Sequence, residues 1–173
     1  MNTQEAIITR RSVREYTQEQ LSPEDLNTIL DAAYASPIGA ARYWLMHLTV
    51  IQDPELLSQI NDYYKEKRNS ENDMLHGAPT LIIVSGDQTA PDTMLYANTG
   101  CIIENIQLSA WELGLGSVFD WSAGTVLPQN DELLKRIGIP EDFKPLAGVV
   151  IGRPSNEVPR RELKMTIETN FIR

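Results

Sequence analysis

Cysteine and histidine are nearly absent from this chain: one cysteine, Cys101, and two histidines, His47 and His76, occur in 173 residues. A single thiol rules out an internal disulfide framework, and the three positions show no metal-ligand spacing, so a zinc site is not expected. No serine, histidine and aspartate follow one another around a nucleophile elbow, so that route to acyl chemistry is missing too. Long apolar runs are also lacking, and none approaches the roughly 20 residues that cross a bilayer. Positive charge is scarce, with 15 basic residues against 24 acidic ones and a sequence pI near 4.7. Without a long basic face to release counterions, nucleic acid is not an expected partner. Met1 to Glu5 lacks the basic start and apolar stretch of a secretory signal, and with the lone cysteine this gives a cytoplasmic expectation. What is present, 42% hydrophobic and 23% charged residues, suits one soluble globular domain over residues 1–173.

Local signals divide that domain into alternating elements. Thr3 is placed to cap a short helix through Ile8, and Ser22-Pro23-Glu24-Asp25 supplies a capping hydroxyl, a first-turn proline and acids for the helix dipole. Leu26, Ile29, Leu30 and Ala33 form one apolar stripe that stops near Ser36-Pro37. A loop from Ser36 to Tyr43 then leads to a strand over Met46 to Gln52. Asp53-Pro54 starts a second helix by the same capping logic, running to about Lys67. The polar stretch Arg68 to Gly77 reads as a mobile loop or a poorly ordered helix end. Buried strands are expected at Thr80 to Ser85 and Leu146 to Ile151, a further strand at Ser117 to Trp121, and a short helix at Asp131 to Ile137. The longest segment, about Thr93 to Leu113, is a helix apolar on more than one face, hence central to the domain or part of a subunit interface. The tail from Ser155 has no strong period, yet Met165, Ile167, Phe171 and Ile172 are too apolar for water and should pack, over a second copy of the chain.

The scarce positive charge is unevenly placed. Residues 1–14 carry a net +2, residues 15–152 a net −13 and residues 153–173 a net +2. Arg10-Arg11-Ser12-Val13-Arg14 concentrates three guanidinium groups and a hydroxyl, a donor set that matches phosphate oxygens in pairs, although a solvated basic surface has the same composition. Cys101 sits in an apolar helix with no histidine nearby in sequence, which suits a core cysteine. Gly114-Leu115-Gly116-Ser117 follows a helix and precedes a strand, the reverse of the dinucleotide-binding order. It is either a tight turn whose bare backbone admits a flat ligand or a helix terminator. The sequence thus offers an anion clamp and a glycine turn but no side-chain nucleophile, base or metal. A bound cofactor would resolve that imbalance, since it brings the reactive atoms itself.

The ordered set of an N-terminal Arg-Arg-Ser-Val-Arg, a Ser-Pro-Glu-Asp-Leu helix cap, Ala33 to Pro37 leading into loop and strand, a central helix ending Leu113-Gly114-Leu115-Gly116-Ser117, and Gly152-Arg153-Pro154 resembles the nitroreductase family of FMN-dependent oxidoreductases across nearly the whole chain. The resemblance implies an α+β fold with a central mixed or antiparallel sheet flanked by helices. It also implies a long central helix at the interface of a homodimer, one FMN at each of two interface sites, and an arm of about residues 155–173 on the partner. Hydride would pass from NAD(P)H through flavin N5 to an electron-poor acceptor such as a nitroaromatic or quinone. By the same resemblance Arg10, Arg11 and Ser12 meet the FMN phosphate and ribityl, and Arg14 meets the pyrimidine end of the ring, where a cation stabilises charge on reduction. Pro37, Ile38 and Gly39 line the ring from the partner subunit, Trp121 and Ser122 lie near N5, and Arg160 and Arg161 reach the phosphate. Arg153 either joins them or is a turn residue. The chain departs from the family pattern at Ala40-Ala41-Arg42-Tyr43-Trp44, where an asparagine is usual, so the flavin contact would come from a backbone group at Ile38 or Gly39. Tyr43, Trp44 and Trp121 either stack on an aromatic substrate or pack in the core or interface. Two other functions remain open on these residues: a non-enzymatic flavin- or nucleotide-binding module, and a reductase of one specific metabolite on the same scaffold.

Overall fold

The computed structural model describes residues 2–164 and 167–173. Its centre is a four-stranded sheet with strands β1 (Met46–Ile51), β2 (Thr80–Asp87), β3 (Gly116–Asp120) and β4 (Phe143–Gly152) in the spatial order β1-β2-β4-β3. All three pairings are antiparallel, which settles the expectation of a mixed or antiparallel sheet. β2 and β4 lie in the middle and read as continuous apolar runs because both of their faces are covered. Ile82 and Ile83, for example, point to opposite faces and are both fully buried.

One face packs on α2 (Pro23–Tyr34) and α4 (Asp92–Glu112), where Ile82, Val84, Val149 and Ile151 meet Ile29, Ala33, Ile103 and Ile106. The other packs on α3 (Pro54–Arg68), α5 (Ser122–Val126) and α6 (Asp131–Arg136), with Leu81, Ile83 and Val150 against Leu57, Ile60, Ala123 and Leu133. The capping logic holds for α2 and α3, since Ser22 Oγ accepts from the Asp25 amide at 3.0 Å and Asp53 from the Leu56 amide at 2.7 Å. At α1 (Thr3–Thr9) the cap is Asn2, not Thr3, because its carboxamide accepts from the Glu5 amide at 2.9 Å.

Two local expectations are corrected. Residues 68–77 are pinned rather than loose: Asp73 accepts from the amides of Leu75 and Gly77, both at 2.8 Å, and Met74 and Leu75 are buried in the core. The strand placed at Ser117 to Trp121 ends at Asp120, and Trp121 begins a turn into α5, an element too short to show a period. Along the C-terminal arm, Ile167, Phe171 and Ile172 stand exposed on this chain, and Met165 lies outside the described residues.

Candidate FMN site

The N-terminal cluster is held by the residues between its charges. Val13 and Tyr16 are buried, so the segment Arg11 to Tyr16 is anchored at two points with Arg11, Ser12 and Arg14 turned outward. Tyr16 Oη donates to the Val13 carbonyl at 2.6 Å and closes this short loop. Burial raises the pKa of Tyr16 well above the usual phenol range, against the opposing Arg14 charge, so the hydroxyl stays a donor. Ser12 forms a parallel bridge with Ser117, and the Val13 amide donates to the Ser117 carbonyl at 3.1 Å, so the cluster lies along the free edge of β3.

The glycine turn explains how that edge is reached. Gly114, with φ +75°, ends α4: its amide donates to Trp111 O at 3.1 Å and the Leu115 amide to Ala110 O at 2.9 Å, the paired bonds of a Schellman stop. A Cβ on Gly116 would lie 2.7 Å from Val13 Cβ. The bare backbone therefore admits Val13 rather than a flat ligand, and of the two readings of this turn the structure supports the helix terminator.

The two positive ends of the chain meet. Arg11 Nη1 donates to the Pro159 carbonyl at 3.2 Å, and the Ser155 amide donates to Glu15 O at 3.1 Å. Arg11, Ser12 and Arg14 line a surface cavity of about 290 Å³ whose opposite wall is Asn156 to Pro159. Arg161 donates from Nε to Ile8 O at 3.0 Å and from Nη2 to Ile7 O at 2.7 Å, satisfying the last carbonyls of α1. Arg160 Nη1 lies 2.7 Å from Glu5 Oε1. Arg153 is drawn to Glu19 at 3.0 Å and Asp25 at 3.9 Å, surface ion pairs that neither of its two readings named. Arg10 differs from all of these. Its side chain is only 17% exposed, its Nη2 lies 3.8 Å from Glu104, and its buried Nε has no hydrogen-bond partner among the described residues. A buried guanidinium donor without an acceptor is costly, and an oxygen-rich anion is what it lacks.

The remaining expected residues lie elsewhere on the chain. Pro37 is exposed and Ile38 buried, and the Gly39 amide donates to Asn98 Oδ1 of α4 at 3.0 Å. That bond engages the Gly39 donor expected to replace the family asparagine, through a partner, Asn98, that its place in an apolar helix concealed. Ala40 and Ala41 both have φ +53°, a left-handed conformation that stores strain in a side-chain-bearing residue, about 1–2 kcal/mol at each. Tyr43, Trp44 and Trp121 are 51%, 69% and 54% exposed, so none is a core residue within this chain. Trp121 instead stacks on Tyr96 at 5.6 Å and Phe119 at 6.2 Å between ring centroids. Ser122 follows it, with its amide donating to Asp120 Oδ1 at 2.9 Å. Burial raises the Asp120 pKa against the lowering effect of bonds from Ser122 and Ala123. Cys101 is half-buried rather than core, because it lies beside the exposed stripe of α4.

The chain matches the Nitroreductase family over residues 7–153. It belongs to that family. A relative from Archaeoglobus fulgidus, provisionally named NADH dehydrogenase/NAD(P)H nitroreductase, is 34% identical over 158 residues, covering 87% of this chain and 84% of its own. A nitroreductase with bound FMN from Bacteroides fragilis superposes with a TM-score of 0.86 at 29% identity, over 99% of this chain and 98% of that one. A nitroreductase from Desulfitobacterium hafniense reaches a TM-score of 0.89 at 23% identity over the full length of both chains, a likeness of fold. Among the described residues of this nitroreductase no group of three His, Cys, Asp or Glu side chains is placed to hold a metal ion, and no helix is long and apolar enough to cross a membrane.

Proposed function

We propose that this nitroreductase binds FMN against the Arg10–Arg14 segment and works as an NAD(P)H-dependent flavin oxidoreductase. The observation that carries this reading is the buried, unpartnered Nε of Arg10 beside the outward Arg11, Ser12 and Arg14. The donor set fits the cofactor, since guanidinium forks and a hydroxyl match a phosphate and its ribityl neighbour. FMN supplies a carrier that accepts hydride from a reduced nicotinamide and passes it to an electron-poor acceptor such as a nitroaromatic or quinone. The chain's own part is to bind, orient and tune. Arg10 and Ser12 hold the phosphate, with Arg11 alongside, and Arg160 adds charge from the C-terminal side. Arg161 acts by fixing the end of α1, and Arg14 places a cation at the pyrimidine end of the ring. Trp121 and Ser122 border the reactive face, where solvent water supplies protons.

The same reading makes the active form a homodimer. Gly39 meets α4 at Met94 and Asn98, whereas Arg10 meets it at Glu104. Glu104 is about 9 Å along the helix and about 120° around it from Asn98, and about 15 Å and about 80° from Met94, and we read one flavin touching both sets as drawing them from two copies. The outer stripe of α4, with Ala97, Gly100 and Cys101, is flat enough for close approach, and nothing lies within 4 Å of a Cβ placed on Gly100. The exposed Leu163, Ile167, Phe171 and Ile172 then find cover on the partner. A cytoplasmic location suits the single free thiol. Equilibrium titration of the apoprotein with FMN, followed by flavin fluorescence, tests the cofactor: saturable uptake of one FMN per chain is expected, and no uptake would overturn the reading.

A further inference from the structure

The cations of the proposed phosphate site already have carboxylates beside them. Glu104 lies 3.8 Å from Arg10 Nη2, and Glu5 lies 2.7 Å from Arg160 Nη1. Glu104 is the more informative of the two. It stands in the middle of α4, where a carboxylate gains nothing from the helix dipole, and its neighbours one turn away, Gly100, Cys101, Gln107 and Leu108, offer no positive charge. Its separation from Arg10 exceeds a hydrogen bond, so it offsets the charge of that guanidinium while leaving the buried Nε without an acceptor. The contact therefore opposes a bound anion without replacing it. Glu5 has a further role in the first turn of α1, where its charge suits the dipole.

We propose that Glu104 is an internal counter-ion that competes with the FMN phosphate for Arg10, holding the chain's affinity for the cofactor below what the arginine cluster alone would give. Glu5 does the same to Arg160 on the other side of the site. The proposal rests on the cofactor reading above. Retention of the flavin is then set by the balance of two carboxylates against the guanidinium groups.

The test is equilibrium binding of FMN, and separately of riboflavin, to the full chain and to Glu104→Gln, at low and high salt. A unit charge removed from the neighbourhood of a phosphate in partly screened surroundings should tighten FMN binding about 3- to 10-fold at low salt. The gain should shrink at high salt and be absent for riboflavin, which lacks the phosphate. Unchanged or weaker FMN binding by Glu104→Gln would overturn the proposal, making Glu104 neutral or an orienting partner of Arg10. Equal tightening of riboflavin would overturn it too, since the effect would then lie at the ring or in assembly. If Glu104→Gln does not fold by circular dichroism, Glu5→Gln carries the same test with the same expected pattern. Failure of the unaltered chain to bind FMN at all would instead remove the cofactor reading on which the proposal stands.

Discussion

At the scale of single residues, Arg10 concentrates the account. Its buried Nε lacks a partner, so Arg10→Ala should remove a charge-assisted contact of about 1.5–3 kcal/mol and weaken FMN binding about tenfold to a hundredfold. Isothermal titration measures this directly, and unchanged affinity would make the cluster mere surface. His76 tests the other side of the same segment. Burial and the Arg14 charge lower its pKa, with Asp73 pulling weakly the other way, so the fold holds the neutral ring. The sign follows: this contribution to stability is present above the ordinary histidine value of about 6.5 and is lost as pH falls through the lower folded value. His76→Asn keeps a residue tolerant of φ +53°, and denaturant midpoints measured from pH 7.5 down to 5 should fall less steeply than in the unaltered protein. The charges of the site were legible in the sequence because arginines in an acidic chain stand out. Their partners were not, since Glu5, Glu104 and Asn98 look like ordinary helix residues until packing brings them to Arg160, Arg10 and Gly39.

At the scale of elements, the glycine turn couples the fold to the site. Gly116 is where the N-terminal segment lies down on β3, and Gly116→Ala would force a Cβ into Val13. Overpacking of that kind costs about 1–3 kcal/mol, so the melting temperature should drop by roughly 3–10 °C, with FMN binding weakened in step because Ser12 and Arg14 move with Val13. A thermal melt with and without FMN separates the two effects. Helices and central strands were readable because capping residues and long apolar runs are local signals. The short α5 and the pinned segment 68–77 were not, because one depends on Asp120 accepting from the amides that follow it and the other on Asp73 folding back on its own turn. Neither bond has a period. The strained Ala40-Ala41 pair falls in the loop that departs from the family pattern.

At the scale of the whole molecule, the positive ends meet as the charge division foretold, and much of their charge is offset where they meet. One chain, however, puts Arg10 and Gly39 against different faces of α4, so the proposed site calls for a second copy of the chain. Gly100→Arg places its new Cβ where no described atom lies within 4 Å, so the single chain should fold as before. It should shift the solution mass by light scattering from two chains to one and lower FMN affinity at least tenfold. A single-chain mass for the unaltered protein with FMN firmly bound would contradict the shared site. The proposed function requires that this chain bind FMN and turn it over with a nicotinamide. The visible spectrum of the FMN-loaded protein, recorded without oxygen, tests it most directly. NADH or NADPH should bleach the flavin band and a nitroaromatic should restore it, whereas a fully loaded protein whose colour neither nicotinamide changes would contradict the account.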